Sequence, residues 1–216
     1  MRIIQSYNTF EDPFSSSVKG GFTTLRNFKK FMKDSYVKHK ELTDNYTMYT
    51  DSVGFEIMKE IMSEDDIEVI EFDIIANDRF LYAGKFQTAA LQIEPYVHVD
   101  LDLIMYKLPE LEDVMVEEMS TGIFLANEVD YLGIATKGIR CRPYSGIIGF
   151  ADMEFKNLYI KEVMARYPVL ESMPKISSRV CITLEEVLLQ RLILDHNKKV
   201  FSMNKDDFKH LRGSIK

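Results

Sequence analysis

Two carboxylates and a histidine stand close together in His98-Val99-Asp100-Leu101-Asp102, at the end of an apolar segment. If this segment is a β-strand, its alternate side chains share one face, so His98, Asp100 and Asp102 point the same way. Buried carboxylates need a cation or several hydrogen-bond donors, and a hard divalent cation also binds diphosphate oxygens. We therefore expect Mn²⁺ or Mg²⁺ at Asp100 and Asp102. Solvated carboxylates at a sheet edge, or carboxylates paired with Lys107, are the alternative for a motif this short.

The segment from His210 to Lys216 brings an imidazole, a glycine and an ammonium group together. Imidazole is a good third ligand for a metal ion that two carboxylates hold. Gly213 would let the backbone approach a phosphate closely, and Lys216 would supply positive charge to it. These residues favour a site for a metal ion and a diphosphate, and a frayed basic tail is the alternative.

The elements that must position these residues follow from hydrophobic periodicity in the first half of the sequence. Strands are predicted at Arg2–Tyr7, Tyr46–Thr50, Ile67–Phe72 and Tyr96–Met105. Helices are predicted between them, from Phe22 to about His39, over Val53–Met62 and over Phe80–Gln92. This alternation predicts a mostly parallel α/β sheet with helices on both faces and a ligand crevice at the carboxyl ends of its strands. Asp100 and Asp102 would lie at such an end.

The second half is less regular. We predict short strands at Gly122–Ala126 and Gly146–Phe150, a helix at Phe155–Arg166, and a late helix that Thr183 caps and that runs through Leu194. No internal repeat or low-complexity linker divides the sequence, so we expect one domain over residues 1–216.

Composition narrows the class of protein. The formal net charge is −7 over 216 residues, which provides no global field for nucleic acid or an anionic membrane. Cys141 and Cys181 form no C-x-x-C pair, so neither a disulfide framework nor a zinc knuckle is indicated. No apolar stretch approaches the roughly 20 residues that cross a bilayer, and no signal peptide is evident. We expect a soluble cytoplasmic protein.

The sequence resembles the GT-A-fold glycosyltransferases. Three elements carry the likeness: the D-x-D of Asp100 and Asp102, a terminal H-x-x-G-x-x-K, and Glu185-Glu186 opening a helix between them. The terminal element is similar to that of glycogenin-like and galactosyltransferase-like enzymes, without the Pro-Trp that usually follows it. Ile3–Tyr7 and Tyr82–Phe86 resemble a bacterial and phage branch of GT-A-like proteins.

The resemblance implies a Rossmann-like GT-A sheet in which residues 1–106 bind the nucleotide and residues 107–216 bind the sugar and the acceptor. Asp102 and His210 would be metal ligands, and Asp100 would bind the metal or the donor ribose. The implied donor contacts are Tyr7 and Asn8 at the base and ribose, Lys85 at the ribose or diphosphate, Gly146 at the sugar, and Gly213 and Lys216 at the diphosphate. Glu185, or its neighbour Glu186, would face the transferred sugar.

The implied reaction moves a sugar from a nucleoside diphosphate sugar, with UDP as the expected nucleotide, to an acceptor hydroxyl. Lys216 would stabilise the leaving diphosphate, and the terminal motif resembles that of retaining enzymes. Glycans and lipid-linked sugars are the expected acceptors. The alternatives are a phage-type transferase for hydroxymethylated DNA bases, with Lys137, Arg140 and Arg142 at phosphates, a nucleotidyltransferase, and an inactive GT-A-like binding module.

Overall fold

The computed structural model describes residues 1–9, 22, 24–72, 83–110, 112–120, 132–172 and 178–211. The predicted strand at Gly122–Ala126 lies outside these residues, as does the part of the Phe80–Gln92 helix that precedes Ala83. Gly213 and Lys216 also lie outside them.

Short strands and helices alternate along the described chain. The strands are β1 Arg2–Tyr7, β2 Tyr46–Thr50, β3 Ile67–Val69, β4 Tyr96–Val99, β5 Leu103–Met105, β6 Val114–Ser120, β7 Arg142–Phe150, β8 Val200–Ser202 and β9 Phe208–His210. The α-helices are α1 Leu25–Leu42, α2 Ser52–Met58, α3 Ala83–Ala90, α4 Met153–Met164, α5 Tyr167–Glu171 and α6 Ser178–Asp195. Single 3₁₀ turns precede β3 and β9, at Glu64–Asp66 and Lys205–Asp207.

Seven of these strands form one sheet in the order β3-β2-β1-β4-β7-β6-β8. The first four are mutually parallel, β7 runs antiparallel to both β4 and β6, and β8 is parallel to β6. Strands from both predicted halves of the chain therefore share one sheet. The prediction of a mostly parallel α/β sheet is confirmed.

Alternation along the strands places an apolar layer on each face of the sheet. Ile3, Met48 and Ile147 pack with α1, α2 and β5 on one face, while their neighbours pack with α3, α4, α5 and α6 on the other. A sheet buried on both faces explains why its strands read as continuous apolar runs. Helices cover both faces, as predicted. Among the described helices, none combines the length and apolar character needed to span a membrane.

Two predicted boundaries are wrong in ways that affect the site. The strand expected over Tyr96–Met105 breaks after Val99, because Asp100–Asp102 form a turn that carries the chain from the main sheet into β5. Thr183 does not cap the late helix but lies buried inside α6, which begins five residues earlier at Ser178. Strand β6 was not predicted.

Strand β5 pairs on one edge with β9, and side chains of α1 occupy its other edge. The Ser35 hydroxyl donates to the Leu103 carbonyl at 3.3 Å, and the Met105 N–H donates to His39 Nε2 at 3.1 Å. His39 Nδ1 lies 3.5 Å from the Ser35 hydroxyl, so a neutral ring protonated on Nδ1 completes the set. Helix α1 thus satisfies backbone groups that a neighbouring strand would otherwise pair.

Acid should weaken the attachment of β5 to α1. Burial lowers the pKa of His39 to about 4, below its value of about 6.5 in an unfolded chain. Between these values the unfolded chain binds more protons, so stability is lost as the pH falls from about 6.5 to about 4. This group should contribute roughly 3 kcal/mol to that loss. Chemical denaturation of wild type and His39→Leu across this interval should show a shallower pH dependence in the variant.

The variant should also be less stable at neutral pH, because the Met105 N–H loses its acceptor. His196→Leu, at an exposed position, provides the control. Identical pH slopes for wild type and His39→Leu would contradict this account of β5.

Candidate active site

The turn after β4 fixes the backbone of both aspartates. The Asp100 N–H donates to the Gly146 carbonyl on β7 at 2.7 Å, and the Leu103 N–H closes the turn on the Asp100 carbonyl at 3.1 Å. The Asp102 carbonyl accepts from the Leu211 N–H at 2.9 Å. The turn is therefore attached both to the main sheet and to the chain that follows β9.

Lys85, on α3, is the buried cation of this region. Its ammonium donates to Asp100 Oδ1 at 3.3 Å and to the Ser145 carbonyl, and its side chain is only 5% exposed. Burial alone would lower the pKa of Lys85, but the charges of Asp100, Glu185 and Glu186 raise it above its usual value. Lys85 is therefore not a solvated lysine on the surface of α3.

The carboxyl group of Asp100 keeps a raised pKa even with this cation beside it. Burial raises the pKa of Asp100 to about 6, and the Lys85 charge only partly offsets that effect. His98 Nδ1 lies 3.7 Å from Asp100 Oδ1, and His98 Nε2 lies 3.0 Å from the Ser6 hydroxyl. Burial, followed by the charge of Lys85, lowers the pKa of His98 well below its usual value, so its ring is neutral.

Helix α6 contributes two adjacent buried glutamates with different surroundings. Glu186 forms an ion pair with Arg142 of β7 at 2.8 Å. Among the residues described, Glu185 Oε1 and Glu186 Oε2 are both buried with no hydrogen-bond partner, but Glu186 Oε2 has the ion pair with Arg142. Burial raises the pKa of Glu185 to about 8 and that of Glu186 to about 7, with Lys85 and Arg142 respectively opposing the effect. The sequence analysis singled out Glu185 and Glu186 together, and the structure shows that their surroundings differ.

Asp102 lies beside His210, which β9 brings to it across the two-stranded sheet. His210 pairs with Leu103, the residue after Asp102, and its Nδ1 lies 3.7 Å from Asp102 Oδ2. Its Nε2 lies 2.9 Å from Glu117 Oε1 of β6. Burial would lower the pKa of His210, but the two carboxylates raise it to about 10. The structure brings Asp102 and His210 together, with His210 in strand β9 and not in a terminal turn.

Gly146 lies between the aspartate turn and Glu117. A Cβ at this position would lie 2.5 Å from Glu117 Oε2, 2.7 Å from Leu103 Cδ1 and 3.6 Å from Asp100 Oδ2. A side chain here would displace the Glu117 carboxylate. The space that a small residue provides on β7 is thus taken by a carboxylate of the protein itself.

Acidic side chains outnumber basic ones in this region. The acidic groups are Asp100, Asp102, Glu117, Glu185 and Glu186, and the basic side chains among them are Lys85, Arg142 and His210. In the described part of the chain, no three histidine, cysteine, aspartate or glutamate side chains are already arranged to hold a metal ion. The imidazole of His210 lies where a cation between Asp102 and Glu117 would otherwise be needed.

The remaining predicted contacts lie at the start of the sheet or outside the described residues. The Tyr7 ring is fully buried and packs on Phe28 at 5.1 Å between ring centroids. Asn8 follows it, partly exposed, at the carboxyl end of β1. Gly213 and Lys216 lie outside the described residues, so their roles stay predictions.

Glu117 is the member of the cluster that the sequence did not identify. It lies in VMVEEMS, where two adjacent glutamates interrupt an apolar run. Nothing in that pattern indicates a contact with His210, 93 residues later.

Comparison with known proteins places the chain in a family. A family model matches residues 1–121, more than half of the sequence. The chain belongs to DUF6734, a family of unknown function. The matched part of this DUF6734 chain includes β1 to β6 and the aspartate turn. No curated protein matches the sequence.

Several solved structures are similar to this DUF6734 chain at low sequence identity. Mouse xyloside xylosyltransferase 1 matches with a TM-score of 0.50 and 8% identity, over 94% of this chain and 84% of that one. The galactosyltransferase LgtC, solved with donor and acceptor sugar analogues, matches at 0.46 and 11% identity, over 94% and 73%. A nucleoside-diphosphate-sugar pyrophosphorylase from Vibrio cholerae matches at 0.49 and 9% identity, over 98% and 95%. The likeness to the xylosyltransferase shows that the α/β fold is the GT-A fold.

The two glutamates of α6 should respond to neutralisation in the same direction but to different extents. Since the pKa of Glu185 is raised from 4.5 to about 8, the folded protein binds more protons than the unfolded chain between those values. Stability therefore falls as the pH rises through this interval. Glu185→Gln should raise the free energy of unfolding by roughly 2 kcal/mol at pH 8.5 and change it little at pH 4.5.

Glu186→Gln is the matched comparison, because it removes the carboxylate that pairs with Arg142. Because the pKa of Glu186 is raised only to about 7, and the variant leaves Arg142 without its ion-pair partner, it should raise the free energy of unfolding at pH 8.5 by less than Glu185→Gln does. Urea unfolding at the two pH values measures both effects. Equal changes in the two variants would show that their surroundings do not differ as described.

Proposed function

We propose that this chain is a metal-dependent glycosyltransferase that moves a sugar from a nucleoside diphosphate sugar to an acceptor hydroxyl. One observation carries the proposal: the turn containing Asp100 and Asp102 lies at the carboxyl end of β4, with His210 held 3.7 Å from Asp102. Ligands of open α/β sheets bind at this end of the strands. The chemistry of the cluster suits a donor that carries a diphosphate.

The side chains present fit a divalent cation by donor type. Asp102 supplies carboxylate oxygen, and His210 supplies Nδ1, a buried nitrogen with no hydrogen-bond partner among the described residues. Carboxylate and imidazole together suit Mn²⁺, and carboxylate with diphosphate oxygens suits Mg²⁺. Such an ion, when bound, neutralises charge that develops on the leaving diphosphate. Asp102 and His210 would hold it, with Asp100 as a further ligand or as a contact to the donor ribose.

Lys85 acts on the site through Asp100. Because its ammonium is buried against Asp100 Oδ1 and the Ser145 carbonyl, it orients that carboxylate and offsets its charge. Its proposed effect on the ribose or diphosphate is therefore electrostatic. Gly213 and Lys216 are proposed to contact the diphosphate directly, with Tyr7 and Asn8 beside the base and ribose.

Glu185 is the proposed acid at the transferred sugar. Its Oε1 is buried without a hydrogen-bond partner in the described part of the chain, whereas the Glu186 carboxylate is paired with Arg142. A sugar hydroxyl would supply the partner that Glu185 Oε1 lacks. A carboxylate at this position also stabilises positive charge on the sugar as the glycosidic bond breaks, which suits a retaining reaction.

The acceptor is proposed to be a glycan or a lipid-linked sugar. A DNA acceptor would need Lys137, Arg140 and Arg142 as phosphate contacts. Arg142, in β7, is already paired with Glu186. Lys137 and Arg140 are exposed, but two cations give little phosphate affinity on a chain of net charge −7.

A donor screen tests the proposal. Unfolding temperature and donor hydrolysis are measured with UDP, GDP, CDP and dTDP sugars, with and without Mn²⁺. One donor should raise the unfolding temperature by roughly 5 °C at a hundredfold excess over its Kd, only with Mn²⁺ present. Asp102→Asn should abolish that shift and the slow hydrolysis, because it weakens metal binding.

Asp206→Asn, at an exposed position near β9, is the control and should behave as wild type. A parallel assay with nucleoside triphosphates and sugar 1-phosphates tests the pyrophosphorylase alternative. Pyrophosphate release there, or no response to any donor with Mn²⁺ present, would refute glycosyl transfer.

A further inference from the structure

The two ring nitrogens of His210 have different neighbours. Nε2 lies 2.9 Å from Glu117 Oε1, which is a hydrogen-bond distance. Nδ1 lies 3.7 Å from Asp102 Oδ2, which is too long for one. Nδ1 is buried and has no hydrogen-bond partner in the described chain. One nitrogen of the ring is thus at hydrogen-bond distance from Glu117, and the other faces Asp102 at the longer distance of an ion pair.

The fold holds Glu117 in place for this contact. Its side chain is 7% exposed, and the pairing of β6 with β7 shifts register between Val116 and Glu118. The extra residues of this irregularity lie on β7, so Glu117 is opposite residues 145–147 of that strand. Gly146 leaves the space that Glu117 Oε2 occupies, 2.5 Å from where a Cβ would lie.

We propose that Glu117 is the positioning residue for His210: it holds the proton on Nε2 and thereby turns Nδ1 towards Asp102, ready to bind a divalent cation. Metal-binding histidines commonly donate their second ring N–H to a carboxylate, which fixes the tautomer and the ring orientation. The inference rests on the proposed function for the metal ion itself. Glu117 acts through His210 and is not a ligand.

Four variants test whether Glu117 positions His210. Glu117→Gln keeps an oxygen that accepts from Nε2–H, and Glu117→Ala removes the acceptor. Glu118→Ala changes the neighbouring glutamate, whose partner is the exposed Lys205, and serves as the control. His210→Ala gives the affinity without the imidazole. Thermal unfolding of each variant establishes that it is folded before it is compared.

Mn²⁺ affinity is measured by electron paramagnetic resonance of the full chain, with ¹⁴N couplings reporting a bound imidazole. Glu117→Ala should weaken Mn²⁺ binding by 10- to 100-fold, the usual effect of removing such a partner, and should lose the ¹⁴N coupling. Glu117→Gln should stay within about threefold of wild type and keep the coupling. Wild-type affinity in Glu117→Ala, or equal losses in the Gln and Ala variants, would overturn the positioning role.

A second measurement needs no metal. In ¹⁵N-histidine-labelled protein, the Nε2–H of His210 should appear as a slowly exchanging downfield proton in wild type and Glu117→Gln, and be absent from Glu117→Ala. Its absence from wild type would overturn the role of Glu117. Its presence in a wild type that binds no Mn²⁺ would instead contradict the metal-dependent function and leave the Glu117–His210 hydrogen bond standing.

Discussion

Buried negative charge is the constraint on which this site depends. Asp100 and Glu117 lie beside Gly146, and Glu117 and Glu185 have little contact with water. Each ionised carboxylate there requires positive charge or a donor. Lys85 meets part of that need from α3. His210 meets another part, since the carboxylates of Asp102 and Glu117 hold its pKa near 10. A divalent cation in the place of that proton would serve the same electrostatic purpose.

The topology of the chain brings these charged side chains together. After Val99 the chain leaves the main sheet through the aspartate turn and forms β5, which pairs with β9. That pairing brings a histidine from the end of the described chain to the carboxyl end of β4. Helix α1 secures β5 from its other edge through Ser35 and His39. The geometry of the site is therefore set partly by a helix that contributes nothing to its charge.

Sequence patterns were sufficient for the parallel half of the fold, because each strand and helix there is an uninterrupted periodic segment. They failed at the aspartate turn, since apolar residues on both sides of it continue the alternation of a single strand. They also missed β6, whose two adjacent glutamates do not alternate. Asp102 and His210 could be paired through a resemblance to known enzymes. The Glu117–His210 contact depends on strand pairing and on a bulge, and local sequence records neither.

The difference between Glu185 and Glu186 is relevant to why a protein would keep buried carboxylates that lower its stability. A residue that served only the fold would be expected to have a partner, as Glu186 has in Arg142. Glu185 instead has a buried oxygen with no hydrogen-bond partner among the described residues and a pKa of about 8. Its ionised form is unfavourable in the protein alone and would become favourable beside a ligand that brings hydroxyl groups or positive charge. Glu186 also has a raised pKa, of about 7, despite its ion pair with Arg142, so both glutamates cost stability when ionised and Glu185 costs more.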